Sequence, residues 1–177
     1  IGSEEFEFPV ILNSPLFNPS EPRDSVLLDD RDDEKRHLNK GIFEEALELY
    51  RQLLKYVSLN WENAYLLASC RIPNKIDQIW YKSKIQQPIR QNILDTPISN
   101  KQELGRIPLK DALIPCHRSS TKPIHFWELV LTLHPEKLPV REQVLDWYDF
   151  IDEDWKKDFG INLRYNLANL IQNISAE

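Results

Sequence analysis

Cys116, His117 and Arg118 stand in a row in this sequence. A cysteine beside an imidazole and a guanidinium can lose its proton below the ordinary thiol range and act as a nucleophile. Cys116, His117, His125 and His134 also offer donors that suit zinc. A zinc site needs ligands paired at short spacing, and neither Cys-x-x-Cys nor His-x-x-x-His occurs. Asp146, Asp149, Asp152, Glu153 and Asp154 gather carboxylates, with Asp146, Asp149 and Glu153 near one helical face. No histidine and no second acidic helix answers them. The interleaved Trp147, Tyr148, Ile151 and Trp155 explain the run as a buried face backed by a wet one. Lys82, Lys84 and Arg90 could contact phosphates, with Trp80 and Tyr81 to stack on bases. We therefore expect no catalytic residues, no metal and no cofactor.

Composition narrows the classes further. The chain has 177 residues, 41% apolar and 28% charged, with a net charge of −6. That is globular rather than disordered, and it does not favour a polyanion as partner. Four glycines are too few for a fold built on phosphate loops or tight hairpins. No apolar run is long enough to span a membrane. Two cysteines give no disulfide framework, so we expect an intracellular protein with reduced thiols. Methionine is absent, and the chain reads as part of a larger protein. Charge is uneven: residues 61–138 carry an excess of bases between two acidic ends.

The elements that must position these residues follow from periodicity. Residues 1–24 hold four prolines with Phe6, Phe8 and Phe17, and proline at that density forbids a helix. They read as an extended arm that docks. Residues 25–177 read as a single α-helical domain. Ser25–Lys40 is expected as a charged helix broken by Gly41. Phe43, Ala46, Leu47, Tyr50, Leu53, Leu54 and Val57 then form one apolar helical stripe. Asn60 and Asn74 are expected to cap further helices, and Pro88 to end or kink the second of these. Residues 95–123, with four prolines, read as a long connection holding one short helix near Leu109–Ile114. Helices resume from Pro123. Gly160 is placed to stop one of them, and Asn162 to start the last. Strand-like alternation is absent. The fold class expected is all-α: an irregular helical bundle or a short αα-hairpin solenoid with an extended N-terminal arm.

Gly41-Ile42-Phe43-Glu44-Glu45-Ala46-Leu47-Glu48-Leu49-Tyr50 resembles the second helix of a tetratricopeptide or pentatricopeptide repeat. Asn60-Trp61-Glu62-Asn63-Ala64-Tyr65-Leu66-Leu67 continues the likeness, which covers about thirty residues, one repeat's worth. Similar Glu-Ala-Leu helices occur in nuclear-pore and vesicle-coat solenoids. Ile114-Pro115-Cys116-His117-Arg118 is similar to the active-site motif of O6-alkylguanine-DNA alkyltransferases, in which the cysteine accepts an alkyl group. The Asn-Pro that precedes that motif is missing here. Ser119 stands where the family carries Val or Ile, and no Gly-Gly-aromatic run follows. Cys116 is therefore expected to be an ordinary thiol.

The repeat-like helices and the abundant aromatic residues imply a non-enzymatic protein–protein interaction scaffold within a macromolecular complex. Phe6, Phe8, Phe17, Trp80, Tyr81, Trp147 and Trp155 are the expected partner contacts. The alternatives are an RNA-binding helical-repeat protein, which the pentatricopeptide likeness implies, and a thiol-dependent enzyme using Cys116.

Overall fold

In the computed structural model, residues 6–21, 25–102, 104–116 and 123–175 are described. The chain is mostly helical but not all-α, because it also contains two small two-stranded sheets. The strands are two to four residues long and three of them contain proline. Segments so short cannot show a period of two, so alternation could not have revealed them. The contacts divide the chain into two compact units. The first comprises Ile1–Asn60 with Leu66–Asn92, and the second Trp61–Tyr65 with Ile93–Glu177.

The first unit is built on α1 (Glu34–Asn60). Residues 25–33 are not helical, so the helix expected from Ser25 starts nine residues later. Asp33 sets that start: its Oδ1 accepts the Arg36 N–H at 3.0 Å and its carbonyl accepts the His37 N–H. Gly41 does not break the helix, since one glycine costs only about 1 kcal/mol against alanine and the same helix buries the stripe from Phe43 to Val57. Phe43, Ala46, Tyr50, Leu54 and Val57 are buried at helical spacing. A 3₁₀ turn (Ala64–Ala68) follows, and Tyr50 donates its hydroxyl to the Leu67 carbonyl at 2.9 Å.

Asp77, not Asn74, caps α2 (Gln78–Trp80), accepting the Trp80 N–H at 3.0 Å. A π-helical segment (Tyr81–Gln86) and α3 (Gln87–Asp95) continue directly from it. Pro88 neither ends the helix nor leaves a straight α-helix before it. Proline offers no N–H and its ring crowds the carbonyl four residues back, and the wider π turn lies where that crowding falls.

The 6–21 segment packs on α1 as an aromatic cluster. Phe6, Phe8, Phe17 and Trp80 surround the fully buried Phe43, with ring centroids 5.4, 6.1, 5.5 and 6.3 Å from it. Tyr81 ties the cluster down by donating its hydroxyl to the Phe6 carbonyl at 2.7 Å.

The second unit replaces the expected long connection with structure. β1 (Pro97–Asn100) pairs antiparallel with β2 (Arg106–Pro108), and Gly105 takes a φ of 115° in the turn between them. A 3₁₀ turn (Leu109–Asp111) precedes β3 (Ile114–Pro115). β3 pairs in parallel with β4 (Arg164–Tyr165), a partner fifty residues on in sequence. The helices are α4 (Pro123–Leu133), α5 (Arg141–Phe150), α6 (Glu153–Phe159) and α7 (Leu167–Ile174). Gly160 ends α6 with a left-handed φ of 69°. Asn166, rather than Asn162, starts α7 through a reciprocal capping box with Asn169. Phe126, Trp127, Val130, Leu138, Val144, Tyr165 and Leu170 form the core of this unit.

Candidate functional site

α1 carries two apolar faces. The inner one is the core stripe through Phe43, Tyr50 and Leu54. The outer one runs through Leu38, Ile42, Leu49 and Tyr56, at steps of four, seven and seven residues. At 100° per residue these four lie within about 40° of one another around the helix. Leu38 is 55% exposed, Leu49 67% and Tyr56 58%, with Ile42 half-buried. Leu53 borders the row, and Leu59, 83% exposed, stands about 60° round from Tyr56 on the polar flank. Glu45 and Gln52 adjoin the row, and Glu48 and Lys55 lie beyond them.

The helix is held rigidly beneath this face. The buried Arg36 guanidinium pairs with Asp29 (Nη2–Oδ2 2.7 Å, Nε–Oδ1 2.7 Å) and with Asp33. Arg31 and Arg36 together hold the Asp29 carboxyl far below its usual range, against the opposing effect of burial. On the opposite edge, Lys40 pairs with Asp77 at 2.6 Å and lies 5.4 Å above the Trp80 ring. Burial raises the Asp77 carboxyl, but the Lys40 ammonium and the Trp80 N–H outweigh it, and the net shift is downward. Trp80 donates its indole N–H to Glu44 at 2.8 Å. Arg51 pairs with Glu48 at 2.6 Å, and with Gln52 it brings that carboxyl down to about 2.

The expected partner contacts lie elsewhere. Phe6, Phe8, Tyr81, Trp147 and Trp155 are buried within their own units, and Phe17 and Trp80 are half-buried in the cluster on Phe43. Their size serves the core, and Phe17 and Trp80 alone keep part of their surface exposed. Of the three candidate phosphate contacts, Lys84 is exposed, Lys82 half-buried and Arg90 buried, so they do not form one basic face. The outer stripe could have been read from sequence by the same helical spacing that gave the inner one. It was masked because Leu53 and Ala46 lie between the two faces and blur their boundary.

Cys116 lines a cleft of about 330 Å³ in the second unit, beside Tyr148, Trp155, Lys156 and Arg164. Its N–H donates to the Tyr165 carbonyl at 2.8 Å, directly after β3. Burial pushes the thiol up, and the Arg164 charge only partly offsets this. That is the reverse of an activated nucleophile. Arg164 donates to the Tyr148 and Ile151 carbonyls at the end of α5 and stacks 4.6 Å from the Tyr148 ring centroid. Its charge closes a helix end. His117 and the side chain of His125 lie outside the described residues. His134 packs edge-on to Tyr165. Among the described residues, no three His, Cys, Asp or Glu side chains converge as a metal site would require. The acidic run is divided: Asp146 accepts the Tyr65 hydroxyl at 2.8 Å, and Asp152 caps α6. No described helix is long and apolar enough to cross a membrane. No family model, curated protein or solved structure matches this chain.

Proposed function

We infer that this chain is a non-enzymatic protein–protein interaction module, part of a larger assembly, and that its working surface is the outer face of α1. One observation carries the reading: a 27-residue helix keeps Leu38, Leu49 and Tyr56 in water along one line while an adjoining side is fixed in a core. Single exposed leucines are ordinary on protein surfaces. A contiguous row on one rigid helix is the form in which helices recognise one another. The raised thiol of Cys116 and the structural use of Arg164 support a non-enzymatic reading. The burial of Arg90 supports a protein rather than a nucleic acid as partner.

The test is affinity capture with the purified chain and with Leu49→Glu. Circular dichroism is used to confirm that both are equally helical. Proteins bound by the parent should be lost with the variant, and the loss should persist when the captured protein is purified and titrated. Equal capture by both chains would remove α1 as the surface and this reading with it.

A further inference from the structure

We draw no further inference here: the strongest candidate, the cleft beside Cys116 in the second unit, is lined by the cations Lys156 and Arg164 and equally by the carboxylates Asp152 and Glu153, with Arg164 already donating to the Tyr148 and Ile151 carbonyls, so nothing in the structure shows what fills it.

Discussion

Asn39 holds Asn18 by both of its backbone groups. Asn39 Oδ1 accepts the Asn18 N–H at 2.8 Å, and its Nδ2 donates to the Asn18 carbonyl at 2.9 Å. The same amide nitrogen donates to the Leu27 carbonyl at 2.9 Å. A fully buried side chain thus reinforces the single antiparallel bridge, Pro19 with Val26, that joins these two segments. Asn39→Ala would leave the part-buried Asn18 N–H and Leu27 carbonyl without Asn39, while the Asn18 carbonyl would keep the Leu27 N–H as its donor. Each such group costs about 1–3 kcal/mol, so we expect a loss of ~2–4 kcal/mol in equilibrium denaturation. Asn39→Asp keeps the acceptor and loses both donations, and it should be comparably destabilised. A variant within ~0.5 kcal/mol of the parent would show that the clamp does not hold the segment.

Asp29 and Arg36 make stability depend on pH in one direction. The folded chain holds Asp29 far below its ordinary range through Arg31 and Arg36, so the unfolded chain binds its proton more readily. The stabilisation is complete well above the unfolded value of about 3.9 and is lost as pH falls through the folded value. The melting temperature should therefore drop as pH falls below about 5. Asp29→Asn should melt lower than the parent at pH 7, and the gap should narrow toward pH 2. Parallel melting curves for the two chains over that range would exclude Asp29 as a source of the dependence.

What the sequence disclosed follows the range of the interactions involved. The stripe from Phe43 to Val57 was legible because a helix repeats its buried face within its own residues. The stop at Gly160 was legible for the same local reason. The β3–β4 pairing joins Ile114 to Arg164, and nothing near either residue announces the other. The aromatic residues of the arm were visible, but their destination was not. Phe6, Phe8 and Phe17 read equally well as contacts for another protein until Phe43 is seen among them. Of the candidate surface, the residues of the outer stripe were plain, but their exposure depends on which side of α1 the rest of the first unit covers.

Gly41 and Gly160 should respond oppositely to alanine. Gly41 lies inside α1, and a Cβ there would meet nothing within 4 Å. Gly41→Ala should stabilise by ~0.5–1 kcal/mol, since glycine loses more backbone freedom on entering a helix. Gly160 also has open space around a Cβ, but its φ of 69° is one that side chains resist. Gly160→Ala should destabilise by about 1–2 kcal/mol. Denaturant titrations of both variants decide this. A destabilised Gly41→Ala would mean that the glycine is needed for something other than its backbone.

Cys116 should behave as a slow, ordinary thiol. The thiolate is the reactive species, and burial in the cleft raises the thiol despite Arg164. A disulfide reagent should therefore label Cys116 more slowly at pH 7 than it labels a free cysteine, with the rate still rising between about pH 8 and 10. Cys70 is buried and should react only on unfolding, so the native parent should titrate one thiol and native Cys116→Ser none. Arg164→Gln removes the partly offsetting charge and should slow Cys116 further. Its loss of two bonds to the end of α5 would appear separately, as a lower melting temperature. Rapid labelling at pH 7, or transfer of an alkyl group from an alkylated guanine to Cys116, would contradict the raised thiol and restore the enzymatic reading.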